Sequence, residues 1–80
     1  MEINLHGFTL NDALDEICYR LEECQASGHQ EITLIHGHRH RAVIKEYIRS
    51  EGFIREMQRN GFRLKRKKTS NPGVSHFILI

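Results

Sequence analysis

Residues 32–37 read Ile-Thr-Leu-Ile-His-Gly, and this stretch decides the fold. Its first four residues form a nearly continuous apolar run, which is typical of a buried strand in a parallel pair. Residues 2–6, Glu-Ile-Asn-Leu-His, alternate polar and apolar side chains as a short strand does. A helical segment separates the two strands, so the sequence predicts a β-α-β unit with a right-handed crossover.

The segment between these strands has the pattern of an amphipathic helix. Thr9 is a candidate N-cap with Asp12 three positions later, and Gly28 is a natural end to the helix. Cys18 and Cys24 are six positions apart, about 9 Å along a helix, which is beyond the reach of a disulfide. We therefore expect free thiols and a cytoplasmic protein. Apolar residues at steps of three and four predict one buried stripe: Leu10, Ala13, Leu14, Ile17, Cys18, Leu21 and Cys24.

The second half of the chain predicts a second helix followed by two strands. The helix begins near Arg41 and ends at Gly61, with Gly52 as a candidate break. Residues 62–68 alternate apolar and basic side chains, and residues 74–80 are mostly apolar. A turn cluster, Thr-Ser-Asn-Pro-Gly, separates them and predicts an antiparallel hairpin.

This order of elements predicts the fold class. We expect one domain over residues 1–80, an α/β two-layer sandwich of order βαβαββ. Two helices would cover one face of a four-stranded mixed sheet and leave the other face partly open. No apolar run approaches the roughly 18 residues of a membrane span, and the first residues show no signal-peptide pattern. With only 80 residues, the core leaves room for a shallow groove rather than a buried chamber.

The charges are segregated along the chain. Residues 1–35 hold seven acidic residues and one basic residue, whereas residues 36–80 hold eleven basic and three acidic residues. Net charges of −6 and +8 thus combine to the overall +2. Such segregation favours a basic face that binds an anionic partner, although a basic helix and hairpin that are merely solvated would give the same pattern.

The dipeptide His-Gly ends both of the first two strands, at His6-Gly7 and His36-Gly37. The carboxyl ends of parallel strands meet at one edge of a sheet, where open α/β sheets bind ligands. Each glycine permits a sharp turn, and the helix start after it presents N–H groups that suit phosphate. The alternative is that the histidines only end strands and the glycines only make turns.

Further candidate binding residues surround these turns. Asn4 and His6 are two positions apart on a strand and so share a face, which we expect to be the open one. Residues 36–41, His-Gly-His-Arg-His-Arg, favour a phosphate-binding loop; a transition-metal site on three histidines and a solvated loop are the alternatives. Arg41, Lys45 and Arg49 predict a basic stripe on the second helix. The predicted nucleic-acid-binding residues are Asn4, Gly7, Gly37, His38, Arg39, His40, Arg41, Lys45, Lys65, Lys67 and Lys68.

Three stretches of the chain together resemble the Smr (small MutS-related) domain. Residues 3–14, Ile-Asn-Leu-His-Gly-Phe-Thr-Leu-Asn-Asp-Ala-Leu, resemble its first motif, Leu-Asp-Leu-His-Gly-hydrophobic-Thr with an Ala-Leu helix behind it. Residues 32–37 resemble its second motif, a hydrophobic strand ending in His-Gly-x-Gly, and residues 73–79 resemble its last strand. The resemblance covers the whole chain in the right order and spacing.

The resemblance implies a βαβαββ fold similar to the C-terminal domain of bacterial translation initiation factor three. It also implies binding of DNA or RNA, endonuclease or nicking activity in several members, and a larger parent protein in many cases. This chain departs from the family in two places. Asn4 replaces the acidic residue of the first motif, which removes a candidate base or metal ligand. Bulky basic residues replace the glycines expected after Gly37, which favours binding over an altered nuclease pocket.

Two functional hypotheses follow. In the first, the chain binds nucleic acid and hydrolyses phosphodiesters with Mg²⁺ or Mn²⁺. His6 and His36 are then the catalytic residues, acting as general acid or base or orienting water, and Arg39 and Arg41 stabilise the developing charge. In the second, the chain is a non-catalytic module that docks nucleic acid or protein and has lost the acidic residue of the first motif.

Overall fold

Seven elements follow one another in the computed structural model, which describes residues 1–37 and 42–80. The predicted order βαβαββ is confirmed, with the second helix divided into two. None of the described helices is long and apolar enough to cross a lipid bilayer. The elements are β1 (Glu2–Asn4), α1 (Leu10–Ser27), β2 (Glu31–Ile35), α2 (Val43–Ile48), α3 (Glu51–Arg59), β3 (Leu64–Lys67) and β4 (Val74–Leu79).

The four strands form one mixed sheet in the order β1-β2-β4-β3. β1 pairs in parallel with β2, while β4 runs antiparallel to both β2 and β3. Asn4 lies opposite Ile35, which in turn lies opposite Val74. The ends of β1, β2 and β3 and the start of β4 therefore all point to one edge of the sheet, which we call the carboxyl edge.

Alternation along the strands places the core on one face of the sheet. Ile3, Leu34 and Phe77 are all buried and pack with residues of the helices in a single cluster. The rings of Phe53 on α3 and Phe77 on β4 lie 5.5 Å apart between centroids. The opposite face, which we call the open face, is exposed or only partly buried at Glu2, Asn4, Thr33, Ile35, Val74, His76, Ile78, Lys65 and Lys67.

The ends of α1 follow the sequence signals. The Thr9 hydroxyl oxygen accepts a hydrogen bond from the backbone N–H of Asp12 at 3.2 Å. Gly28 ends the helix in the left-handed conformation, with φ of 80°, which glycine adopts without steric cost. Cys18 and Cys24 on this helix are free thiols, as predicted.

The second predicted helix is divided at Ser50 into α2 and α3. Ser50 is extended (φ −93°, ψ 160°), and its hydroxyl accepts from the backbone N–H of Phe53. A serine at this position satisfies a free N–H group of the next helix, so it favours a new helix start over continuation. The chain therefore breaks before Glu51 rather than at Gly52.

Candidate functional site

Both His-Gly pairs make the same turn at the carboxyl edge. Gly7 and Gly37 each have a φ of 82°, a value that side chains with a Cβ rarely adopt. The backbone N–H groups of His36 and Gly37 both donate to the carbonyl of Gly73, at 3.1 and 2.9 Å. The predicted equivalence of the two turns is thus present in the backbone, and β4 ties the second turn to the sheet.

The side chain of His36 is held at both ring nitrogens. Nδ1 lies 2.8 Å from the carbonyl oxygen of Gly37, and Nε2 lies 2.9 Å from the Ser75 hydroxyl. A carbonyl oxygen only accepts hydrogen bonds, so Nδ1 carries the proton and donates. Arg49 Nε donates to the Ser75 oxygen at 3.3 Å, which leaves the serine proton for His36 Nε2. The network runs in one direction, from Arg49 through Ser75 and His36 to Gly37.

The surroundings of His36 also favour its neutral form. Burial lowers the pKa of His36 below its usual value, and the positive charges of Arg49 and Lys45 lower that pKa further. The hydrogen bond to the Gly37 carbonyl acts in the opposite direction. His36 therefore presents an unprotonated Nε2 at neutral pH, the state that a general base requires.

Asn4 ends β1 on the open face, as predicted, and His6 lies in the turn that follows the strand. Both are exposed, whereas Ile3 and Leu5 on either side of Asn4 are buried. The Asn4 side-chain oxygen accepts from the backbone N–H of His6 at 2.9 Å, a local turn that asparagine forms readily. His6 and His36 thus share the carboxyl edge, but the ring of His36 is bonded on the helix-covered side, to Ser75.

The predicted basic residues lie on different surfaces of the fold. Lys67 on the open face forms an ion pair with Glu31, with 2.7 Å between Nζ and Oε1. The hydrogen bond from Lys67 lowers the pKa of the Glu31 carboxyl. Lys65 and Lys68 are exposed in and after β3, and Lys45 is partly buried on α2. His38, Arg39, His40 and Arg41 lie outside the described residues.

Arg49 departs from the predicted stripe on the second helix. It is the C-cap residue of α2, and its Nη2 donates to the backbone carbonyls of Val74 at 2.9 Å and Asn71 at 3.5 Å. It therefore belongs to the carboxyl edge, beside the start of β4, rather than to a solvated helix face.

Two residues outside the predicted set of binding residues also lie at this edge. Ser75 is buried, at 5% exposure, on the helix-covered face of β4. Arg66 lies on the same side of β3, where Nη2 donates to the Ser50 carbonyl at 2.7 Å and the guanidinium sits 5.3 Å from the centroid of Phe77. The sequence signal for both residues is a polar side chain at a strand position where the alternation would place a buried apolar residue. Arg49, Arg66, Lys67, Thr69, Ser75 and His76 line a shallow pocket of about 270 Å³.

The described residues do not fit a dedicated magnesium or manganese site. In residues 1–37 and 42–80, no three His, Cys, Asp or Glu side chains converge in a metal-binding group. Hard cations prefer carboxylate oxygens, and the amide oxygen at Asn4 already accepts from His6. The alternative metal site on three histidines falls largely on His38 and His40, outside the described part of the chain.

Comparison with known proteins gives two matches. The family model described as Smr domain matches residues 3–76. The crystal structure of the Smr domain of Thermus thermophilus MutS2 is similar, with a TM-score of 0.73 and 29% sequence identity. That alignment covers 99% of this chain and 96% of the solved one. No curated protein matches the chain.

Proposed function

Because this chain belongs to the Smr domain family, we propose that it binds the phosphate backbone of DNA or RNA with the carboxyl edge of its sheet. One observation carries the proposal: the guanidinium groups of Arg49 and Arg66 lie at the same edge as His36 and the two His-Gly turns. Lys65 and Lys68 extend this positive surface along the hairpin. Positive side chains at one edge supply the sequence-independent part of nucleic-acid affinity.

We further propose that the bound strand is cleaved, with His36 transferring the proton. Its unprotonated Nε2 can take a proton from an attacking water or hydroxyl once the Ser75 side chain rotates and its oxygen moves away from Nε2. As the new P–O bond forms, the P–O bond of the strand breaks, and His6, exposed at the same edge, is the proposed proton donor to the leaving oxygen. Both proton transfers use side chains of the chain itself, because the described donors do not fit a metal ion.

The specific alternative is a docking module without catalysis. Asn4 supports it, because an amide cannot act as the carboxylate of the family's first motif. Its side chain instead accepts a bond from His6 and closes the end of β1. A larger parent protein also belongs to the proposal, since the solved relative is the Smr domain of MutS2.

A cleavage and binding assay separates the two functions. Supercoiled plasmid, a branched duplex and a structured RNA are each incubated with the protein in Mg²⁺, Mn²⁺ or EDTA. A variant with His6→Ala and His36→Ala runs beside it, and His29→Ala, a change to an exposed histidine outside the site, serves as the matched control. We expect cleavage by the native chain and the control, and binding without cleavage by the double variant. Salt-sensitive binding with no cleavage by the native chain would establish the docking module instead.

A further inference from the structure

Two guanidinium groups from distant parts of the chain meet at the shallow pocket of the carboxyl edge. Arg49 comes from the end of α2 and Arg66 from β3, and both line the same cavity of about 270 Å³. The hydroxyl groups of Thr69 and Ser75 line it as well. The described residues of the lining are three cations, two hydroxyl-bearing residues and one histidine, with no carboxylate among them.

Both guanidinium groups are held in place by neutral partners. Arg49 donates to the Ser75 hydroxyl and to the carbonyls of Val74 and Asn71. Arg66 donates to the Ser50 carbonyl and covers the Phe77 ring. The ion pairs within the described part of the chain are formed by Arg20 and Lys67. The positive charges of Arg49 and Arg66 are therefore oriented but not neutralised by a salt bridge.

The electrostatics of Arg66 agree with this arrangement. Burial lowers the pKa of Arg66, and the charge of Arg49 lowers it further, while Glu51 opposes both effects. The two arginines thus repel each other at the pocket. An anion between them would relieve that repulsion and gain charge-assisted hydrogen bonds.

The pocket has further hydrogen-bond donors that are available to bind an anion. The bonds of Arg49 use Nε and Nη2, and the bond of Arg66 uses Nη2, so each group keeps its Nη1 donors. The Thr69 oxygen accepts from the backbone N–H of Asn71 at 3.1 Å, which leaves its own proton free to donate. A cavity of about 270 Å³ is below the usual range for drug-sized ligands, so it suits a phosphate group rather than a whole nucleotide.

We propose that this pocket binds one phosphate group of the nucleic-acid strand and sets the register of that strand against His36. This inference rests on the proposed function and adds the contact that positions the substrate. Ser75 is the link, because its oxygen lies 2.9 Å from His36 Nε2 and 3.3 Å from Arg49 Nε. A phosphate held by Arg49 and Arg66 is therefore placed beside the imidazole.

The first test uses inorganic phosphate as the probe on the native protein, followed by amide and arginine side-chain NMR. We expect saturable shifts at Thr69, Ser75 and the Arg49 and Arg66 side chains, and none with chloride at matched ionic strength. Oligonucleotides with a 5′-phosphate or a 5′-hydroxyl then distinguish a terminal phosphate from an internal phosphodiester. Tighter binding of the phosphorylated strand identifies a terminal phosphate, and equal binding identifies an internal one. Absence of saturable shifts at the pocket with all three probes would overturn the proposal.

The second test removes the two charges. Arg49→Gln with Arg66→Gln is compared with Arg55→Gln with Arg59→Gln, which makes the same charge change on the exposed side of α3. We expect the pocket pair to weaken strand binding about ten-fold or more and to reduce the slope of log K against log salt by about one, since one phosphate contact is lost. The α3 pair should leave both quantities nearly unchanged. Arg49→Lys with Arg66→Lys keeps the charge but loses the planar guanidinium. Its affinity for the strand and its salt slope should lie between those of the pocket pair and the α3 pair.

The outcomes separate this inference from the proposed function. If the native chain binds nucleic acid and the pocket pair behaves like the α3 pair, the phosphate pocket is overturned and the proposed function stands. If the native chain binds no nucleic acid, the proposed function fails whatever the phosphate titration shows. If the variant with both pocket arginines replaced does not fold, the phosphate titration of the native protein decides whether the pocket binds phosphate.

Discussion

At the scale of single residues, the state of His36 depends on Ser75. Among the described residues, Ser75 is the hydrogen-bond donor to His36 Nε2, and Arg49 orients its hydroxyl group. Removing the hydroxyl would leave the neutral imidazole without a partner at Nε2. The neutral form would lose stabilisation relative to the protonated form, so the pKa of His36 depends on this contact.

Ser75→Ala should therefore raise the pKa of His36 toward its usual value. The measurement is a pH titration of the histidine ring signals by NMR, which also reports the tautomer. Thr33→Ala is a matched control, because it removes a hydroxyl 2.8 Å from Nδ1 of a different histidine, His76. An unchanged His36 titration in Ser75→Ala would show that burial and charge alone set its pKa.

His36 should also make the stability of the fold depend on pH. Its pKa is lower in the folded state than in the unfolded chain, so the unfolded chain binds more protons in the interval between the two values. The free energy of unfolding should thus be greatest above about pH 6.5, the ordinary histidine value, and decrease as the pH falls through the folded-state pKa. Denaturant unfolding at several pH values measures this.

His36→Asn should flatten that dependence, and His29→Asn, at an exposed position, should leave it unchanged. The carboxyl of Glu31 acts in a separate window, because Lys67 lowers its pKa and its effect appears only at acidic pH. If the free energy of unfolding decreases equally with falling pH in the native chain and in His36→Asn, another group causes the pH dependence.

At the scale of elements, Ser50 and Gly52 test what divides the second helix. Ser50→Ala removes the hydroxyl that accepts from the Phe53 N–H and should reduce the free energy of unfolding by about 1 kcal/mol. Gly52→Ala should increase it by up to about 1 kcal/mol. A Cβ there meets the Ser50 hydroxyl at 3.4 Å and the Tyr47 ring at 3.5 Å, which are ordinary contacts.

Urea denaturation of the two variants gives both values. Opposite signs would show that the serine cap, and not the glycine, makes the break. A loss of stability in Gly52→Ala would show that the chain needs glycine at this point for its close approach to Tyr47.

The strands show which structural features can be predicted from sequence patterns and which cannot. Alternation predicted correctly that Ile3 and Leu5 face the helices while Asn4 lies on the open face, and the two His-Gly turns placed the ends of β1 and β2 at one edge. Arg66 lies at an inward position of β3, and the sequence pattern does not show why, because the Phe77 ring that Arg66 covers is on the neighbouring strand. The register that joins them, Arg66 opposite Phe77, is a long-range pairing. Local spacing therefore predicts which face of the sheet a side chain lies on, but not which residues of other strands it contacts.

At the scale of the whole molecule, the same limit applies to the candidate site. The parallel pair predicted the carboxyl edge, and His36 was expected there from its position after β2. The pocket beside it was not predicted, because Arg49, Arg66 and Ser75 come from three different elements. Only the strand order β1-β2-β4-β3 brings the closing hairpin against β2 and so places Ser75 next to His36.

The basic second half of the chain supplies Arg49, Arg66 and the hairpin lysines of the carboxyl edge, and this placement predicts that affinity for nucleic acid is local. Lys65→Gln with Lys68→Gln removes two positive charges from the hairpin and should weaken binding about ten-fold at physiological salt. Glu22→Gln with Glu23→Gln removes two negative charges near the end of α1, about 18 Å beyond its first residue. These carboxylates lie more than one screening length of about 8 Å from the carboxyl edge, so their removal should change the affinity by less than about two-fold. Fluorescence anisotropy with a labelled duplex at several salt concentrations measures both pairs. Equal and opposite effects would instead show that the net charge of the molecule, and not the basic edge, controls binding.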